Sequence, residues 1–554
     1  MRKRKLLKIL KYGCAGLAVL LVAFGIYFYN AVMIDGPTVT PGAVASGEPR
    51  HIDGTLYAIG NSWMRKSANG LYELYVEGEP YDRGLIIGKL SKGLVERQED
   101  FFVSQLHEMI PSDTYINFLK LFVAWFNRNL DTAIDDEFKK EIFGVSRSAP
   151  DQYDSIGPKY MRMLNYHAAH DIGHALLNMH LVGCTSFSLK GKKTTDGKLI
   201  AGRSFDFYMG DDFSKEKIVA FYSPAKGYKF MSITWGGMTG VVSGMNEKGL
   251  AVTINAAPGS IPGSASTPIS IIVREILQYA KNIDEARTIA ERRKSFVSES
   301  IMVSSAADGK TVLLEKTPDS CLMFDSGTDE VISTNHFQKT NRVEEESSAY
   351  RFSRVRELID AENRFDERKI AAILRDRKGR GGQDIGMGNE KAVNQLIAHH
   401  AVIFKPEDGI VWVSSSPWQC GKFYAYDLKK IFARKGVPSR DGEIYDNSRE
   451  IKEDPFARSK DIVSYNNYRA LRTRIAKAVR ARTVISDADL KAYEESNPEM
   501  YLTYQTIGDY YLSRKDYENA RKYFTAAKSK EIARNSEREK IDESIDECDE
   551  ALKR

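Results

Sequence analysis

The hydrophobic period of this chain changes at Gly183-Cys184, and no other feature constrains its fold as tightly. Upstream, segments 88–109, 115–129 and 137–143 carry apolar residues at the three-to-four spacing of helices that cover something. Downstream the period is two. Segments 184–189 and 199–207 read as a hairpin whose turn holds Asp196-Gly197, because glycine supplies the positive φ of a tight turn. Further strands are expected at 217–222, 229–235, 241–246 and 250–255, then two amphipathic helices at 268–281 and 283–294 with Asn282-Ile283-Asp284 as junction and cap. Strands resume at 300–305, 311–316, 320–325 and 331–334, and a last pair falls at 409–415 and 422–427. Strands, a helix pair and strands again imply an α+β fold of four layers, two sheets face to face with helices outside.

At 554 residues the chain is too long for one ordinary core. Segment 15–34 carries no charge and follows Arg2, Lys3, Arg4, Lys5, Lys8 and Lys11. Roughly 20 apolar residues suffice to cross a bilayer. The basic tip argues for an N-terminus in the cytoplasm, with everything after Asp35 outside it, periplasmic in a Gram-negative source. A cleaved signal peptide is the rival, but the small-x-small site Ala43-Val44-Ala45 lies well beyond the apolar run, and Tyr27 and Tyr29 suit an interfacial belt.

Six segments are expected: a tip and transmembrane anchor at 1–34, a linker at 35–70, a helical prosegment at 71–183, a nucleophile-bearing body at 184–434, a charged linker at 435–459 and a polar helical tail at 460–554. In the tail, Gly508, Tyr511, Tyr517, Ala520, Tyr523-Phe524 and Ala527 fall at the small and aromatic positions of one tetratricopeptide-like hairpin. One repeat is not a stable array, so docking on the body is expected, with a protein partner for the tail as the alternative.

Charge is nearly balanced, 80 basic against 75 acidic residues for a net +5, and nothing demands nucleic acid. Of five cysteines, Cys14 sits at the membrane segment and Cys548 in the tail. Cys321 and Cys420 are either a disulfide or two buried thiols, which leaves Cys184 as the odd thiol. At a newly made N-terminus it would have its own α-amine in reach, whose pKa of roughly 7.7–8 suits a general base. His170 and His174 have i, i+4 spacing, but Asp171 stands where a zincin helix carries glutamate, and no metal is expected. No phosphate loop or Gly-x-Ser-x-Gly elbow occurs, and no cofactor is expected.

Four segments together carry a family likeness: Gly183-Cys-Thr-Ser-Phe187, Asp196 to Asp206 (DGKLIAGRSFD), Gly244 to Asn255 (GMNEKGLAVTIN) and Ser333-Thr-Asn-His-Phe337. Over about residues 71–432 the chain resembles the penicillin acyltransferase-type branch of the N-terminal-nucleophile hydrolases, related to the bile-salt hydrolases and the acid ceramidase group. The resemblance implies the αββα fold of those enzymes and a cut between Gly183 and Cys184. It implies Cys184 as nucleophile, Arg203 and Asp206 as the pair that holds the thiol and its amine, and Asn335 as an oxyanion amide. A later arginine should approach the site, Arg351 first and Arg354 as fallback. Asn255 and Trp235 are assigned to substrate binding, although a turn before Pro258-Gly259 also accounts for Asn255. Arg203 with Asp206 could equally form an ordinary ion pair, Asn335 a turn residue, and His336 a mere neighbour of the site. The expected activity is hydrolysis of a small-molecule acyl amide or transfer of its acyl group. A phospholipase-like hydrolase on the same fold and an inactive membrane-bound scaffold are the alternatives.

Overall fold

A computed structural model describes residues 2–110, 112–169, 171–172, 183–210, 212–259, 265–339, 346–439 and 442–554. Helix α1 (Arg2–Val32) includes a 23-residue stretch, Leu10–Val32, that is long and apolar enough to cross a membrane. It meets the body through Tyr27 and Phe28, whose rings lie 6.4 and 5.7 Å from that of Trp125.

Strands β1 (Arg50–Asp53), β2 (Leu56–Ile59), β3 (Ser62–Lys66) and β4 (Tyr72–Gly78) form an antiparallel run that opens the larger sheet. The chain then leaves that sheet for helices α2 (Pro80–Leu90), α3 (Lys92–Met109), α4 (Asp113–Phe126), α5 (Asp136–Ser146) and α6 (Lys159–His167). Helices α2 and α5 cross where Gly84 faces Glu141 and Gly144 faces Leu85; a Cβ on either glycine would strike backbone atoms of the other helix.

The hairpin β5 (Thr185–Leu189) and β6 (Ile200–Phe205) pairs Thr185 with Ser204 and Leu189 with Ile200, and Gly197 takes φ 77° between the two strands. Strand β7 (Ile218–Pro224) returns to the larger sheet parallel to β4, a pairing that needs a long crossover, and the helical block supplies it. β8 (Phe230–Thr234), β9 (Ser243–Asn246) and β10 (Leu250–Ala256) follow. Helices α7 (Ile269–Tyr279) and α8 (Ile283–Arg292), with the Asn282 side chain capping α8, precede β11 (Glu299–Ser305), β12 (Lys310–Lys316) and β13 (Cys321–Phe324). Among the described residues this sheet has eleven strands, in the order 1-2-3-4-7-8-9-10-11-12-13.

Strand β14 (Glu330–Ser333) pairs with β5, and after helices α9 (Ser347–Asp360) and α10 (Glu367–Leu374) come β15 (His400–Lys405), β16 (Ile410–Ser414), β17 (Phe423–Asp427), helix α11 (Leu428–Ala433) and β18 (Tyr445–Ile451). The second sheet, of seven strands, runs 14-5-6-15-16-17-18.

Val219 and Phe221 of β7 share one core with Val402, Phe404 and Val411 of the second sheet, while Ala220 and Tyr222 face a core built with α7 and the helical block. A strand buried on both faces has no polar alternation to show, and β7 reads as an unbroken apolar run. Ile272, Val273, Ile276 and Leu277 of α7 are fully buried, each worth roughly 1.5–3 kcal/mol of transfer free energy. A third core sets Phe187, Ile403 and Trp412 against Val355, Ile359 and Leu374 of α9 and α10.

Segments read as linkers contribute strands. β1, β2 and β3 lie within 35–70, and β18 lies within 435–459. Short strands broken at Gly54 and Gly60, and an edge strand with three exposed residues in its middle, lack the apolar alternation that marks a half-buried strand. The tail consists of α12 (Lys460–Ala481), α13 (Asp487–Ser496), α14 (Tyr501–Ser513), α15 (Tyr517–Lys528) and α16 (Asn535–Leu552). Its core takes in Leu396, Ala398, Trp418 and Cys420 from the body. All five cysteines are free thiols, Cys321 half-buried and Cys420 buried.

Candidate active site

The β5–β6 register sets Ser186 opposite Arg203 and Thr185 opposite Ser204, so Cys184, one residue before β5, lies beside the end of β6. There the backbone N–H of Gly183 donates to the Asp206 carbonyl at 2.9 Å. Cys184 is fully buried.

Arg203 points from the smaller sheet into the larger. One Nη2 lies 3.6 Å from Cys184 Sγ and donates to the Ile254 carbonyl at 2.6 Å; Nη1 reaches the Val242 carbonyl at 3.3 Å and the Ser243 hydroxyl. Its guanidinium also sits 4.4 Å above the Phe205 ring. A surface ion pair is therefore not its role. Asp206 is also fully buried, and its carboxylate accepts from Ser204 Oγ. Burial raises its pKa to about 7, against the pull of Ser204, Arg351 and Arg203. Burial likewise pushes the Cys184 thiol up to about 11, although Arg203 pulls the other way. The thiol is therefore neutral at physiological pH.

Asn335 follows β14. Its Nδ2 donates to the Ala256 carbonyl at 3.0 Å, and its Oδ1 accepts from Arg351 Nη2 at 2.5 Å. The second Nη of Arg351 donates to the Glu390 carbonyl at 2.7 Å. Arg354, one turn on, pairs instead with Asp376 at 2.8 Å and Glu357 at 3.1 Å. Arg351 is thus the arginine brought to Asn335, and Arg354 is turned to a separate acidic pair. His336 bonds to Thr334 and Ser348 at 3.1 and 2.7 Å, and burial together with Arg351 takes its pKa down to about 4.

Asn255 lies in β10, ahead of the expected turn. Its oxygen accepts from Ser186 Oγ at 3.0 Å and its Nδ2 donates to the Ser333 carbonyl at 2.8 Å, so the side chain ties the larger sheet to β5 and β14. Trp235 stacks on Phe205, 6.2 Å away, and lines a small apolar cavity with Phe207, Phe213, Met238 and Val242. Phe102, Tyr166, Phe207 and Met209 continue that lining into a wider apolar cavity under α3, α4 and α6. Val242 links the two features, since its carbonyl binds Arg203 and the residue faces the cavity.

Several polar groups here carry no sequence signal strong enough to single them out. Gln395 Nε2 donates to the Gly183 carbonyl at 2.7 Å. Ser243 bridges Arg203 to His400 Nε2 at 2.8 Å, and His400 meets His399 at 2.9 Å. Burial holds both histidines well below the ordinary range, so the pair is neutral. The His399-His400 doublet before an apolar strand is the one trace of this chain in the sequence. His170 and His174 lie outside the described residues.

Residues 192–416 match the family described as Acyl-coenzyme A:6-aminopenicillanic acid acyl-transferase. Arg203, Asp206, Asn335, Arg351 and Gln395 fall inside the match, and Cys184 falls just before it. An uncharacterized protein of Archaeoglobus fulgidus is 27% identical over 240 residues, covering 41% of this chain and 40% of that protein. Protein dcd1B of Dictyostelium discoideum is 23% identical over 301 residues, covering 50% and 55%. The chain thus spans about half the length of the curated relatives it matches. Among solved structures, the Caenorhabditis elegans N-acylethanolamine-hydrolyzing acid amidase ortholog is 16% identical with a TM-score of 0.31, covering 40% of this chain and 93% of that one.

Proposed function

We propose, on the premise that residues 192–416 belong to the Acyl-coenzyme A:6-aminopenicillanic acid acyl-transferase family, that this chain is a self-cleaving cysteine hydrolase or acyltransferase acting on a small-molecule acyl amide. The observation that carries the reading is the burial of Cys184 Sγ against Arg203, with the Gly183 peptide pinned beside it by Asp206. Arg203 works against the burial that raises the thiol pKa, and an electropositive neighbour of this kind suits a latent nucleophile.

Cleavage before Cys184 frees an α-amine next to Sγ. That amine has an ordinary pKa of roughly 7.7–8, takes the thiol proton, and is held by Asp206. The thiolate then attacks the substrate carbonyl, and Arg203 balances its charge. Asn335, its Oδ1 fixed by Arg351 and one Nδ2 hydrogen by the Ala256 carbonyl, donates its second N–H to the oxyanion. The amine leaves with a proton from the Cys184 α-ammonium, and water or an acceptor amine resolves the thioester. The apolar cavity beside Trp235 takes the acyl group.

The same reading makes the architecture a four-layer αββα N-terminal-nucleophile fold, with α1 as a membrane anchor and an extracytoplasmic body. The tail is a tetratricopeptide-like unit docked on the body, and its shared core with Leu396 and Trp418 favours this over a free scaffold.

The test is a denaturing gel with N-terminal sequencing of full-length protein. Two fragments are expected, the larger beginning at Cys184, and Cys184→Ala abolishes both the cut and turnover of N-acyl amides. Turnover by an intact single chain, or by the alanine variant, overturns the proposal.

A further inference from the structure

We propose that Gln395 is the oxyanion donor for the chain's own cleavage, distinct from Asn335 for the substrate, a role that rests on the self-cleavage proposed above. In that reaction the electrophile is the Gly183 carbonyl, and its oxygen already accepts from Gln395 Nε2 at 2.7 Å in a fully buried setting. A donor placed on the ground-state carbonyl strengthens as the oxygen gains charge, and nothing needs to reorganise at the moment of reaction. The fit is close enough that a Cβ at position 183 would collide with the Gln395 amide, which accounts for glycine on the departing side of the cut.

Asn335 is not the amide on this carbonyl: one hydrogen of its Nδ2 goes to the Ala256 carbonyl, its Oδ1 is held by Arg351, and its second N–H is left for the substrate. Two amides therefore serve two carbonyls. The bonds balance in two steps. Sγ–C forms at Gly183, the C–N bond to Cys184 breaks, and the thiol proton ends on the departing nitrogen; water then splits the thioester to a Gly183 carboxylate and a free Cys184 thiol.

Gln395 is positioned by a segment without regular structure. Asn394, beside it, donates from its backbone to the Asp376 carbonyl at 2.8 Å and from Nδ2 to Cys420 Sγ at 3.3 Å, and Leu396 on its other side is buried in the core of the tail. Upstream in the same segment, Met387 exchanges two hydrogen bonds with Asn497 at 2.9 Å each, and Asn389 Nδ2 donates to the Glu531 carbonyl at 2.9 Å. Glu390, whose carbonyl holds Arg351, also pairs with Arg534. The segment that aims Gln395 at Gly183 thus aims Arg351 at Asn335.

The test measures the rate at which full-length protein converts to two fragments. Gln395→Met keeps the length of the side chain and removes the donor; a loss of about 100- to 1000-fold in cleavage rate is expected. Gln395→Glu separates the chemistry from packing, because a protonated carboxyl donates and a carboxylate repels the oxyanion. Its cleavage rate relative to the wild type should rise as pH falls toward the carboxyl range, about 4.3 for an unperturbed glutamate and higher when buried. Wild-type cleavage by Gln395→Met overturns the proposal, as does equal slowing of both variants at every pH. If the wild type itself turns over substrate as a single chain, the reading of self-cleavage fails instead, and the two failures are distinguishable.

Discussion

The helical block before Gly183 and the helical tail are attached to the body by opposite means. In the block, Glu141 of α5 is almost fully buried between Arg83 of α2 and Arg274 of α7; Arg274 donates to it at 3.2 and 3.1 Å and Arg83 Nε at 3.0 Å. Arg83 also binds the Gly78 carbonyl and Arg274 the Thr239 carbonyl, so both guanidinia have further partners. Burial alone would raise the Glu141 pKa, but the two arginines outweigh it and hold the carboxyl below its usual range. Among the described residues the tail meets the body through an aromatic and aliphatic core, the Met387–Asn497 and Asn389–Glu531 hydrogen bonds, and partly exposed charges at its rim. Under the proposed cleavage the block needs an attachment that survives the cut, and a buried charged triad supplies one. A tail that remains covalently joined needs only to dock.

The largest effect should come from breaking the triad. Glu141→Ala leaves two buried guanidinia without their carboxylate, a loss expected at about 3–5 kcal/mol. Thermal unfolding of the uncut Cys184→Ala chain should report it, and after cleavage the smaller fragment of Glu141→Ala should separate on size exclusion where that of the wild type stays bound. Retention of the fragment at unchanged melting temperature would erase the contrast between the two attachments.

The difference between these regions also governs what could be read in the sequence. The β5–β6 hairpin was legible because alternation and Asp196-Gly197 are local signals; Arg203 and Asp206 came from the family resemblance, with their place on the strand paired with Cys184 favouring them over an ordinary ion pair. Arg351 and Arg354 could not be separated, since both fall on the buried side of α9 one turn apart. The choice is made by Asp376, which draws Arg354 away, and by the Glu390 carbonyl, which takes Arg351. Gln395 was illegible for a stronger reason: it lies in a stretch without period, and the groups that hold that stretch, Asn497 and Glu531, belong to the tail. Asn255 shows the converse, a residue whose sequence context suits a pocket or a turn and whose side chain instead joins two sheets.

A smaller effect is tied to the junction itself. Asp206 binds a proton more tightly in the folded chain, with its pKa raised from 3.8 to about 7 by burial. Over that interval the folded state holds more protons than the unfolded state, so stability falls as pH rises, and the decline ends above about 7. In Cys184→Ala, which stays uncut under the proposed mechanism, the melting temperature should decline across this window, and adding Asp206→Asn should flatten the curve there. A pH dependence unchanged by Asp206→Asn would assign the titration to another buried acid such as Glu73, whose pKa burial also raises to about 7.

The smallest effect should come from the rim of the tail. Lys391 pairs with Glu531 at 2.6 Å, and their side chains are 13% and 30% exposed. Water screens such a pair, and its removal should cost about 0–1 kcal/mol. Yet Lys391 is in the segment that carries Gln395, and Glu531 sits beside the helix whose core residue Phe524 packs against Gly508. Glu531→Ala should therefore leave the melting temperature nearly unchanged while slowing cleavage by a few fold, since Asn389 still donates to the Glu531 backbone carbonyl and keeps the segment docked. Phe524→Ala provides the contrast. It opens a cavity in the tail at a cost of about 3–5 kcal/mol, and if docking by the tail positions Gln395, it should slow cleavage far more than Glu531→Ala while the triad around Glu141 stays intact. Equal cleavage rates in Phe524→Ala and the wild type would mean that the body alone fixes the segment, and the two helical regions would then differ in chemistry but not in consequence.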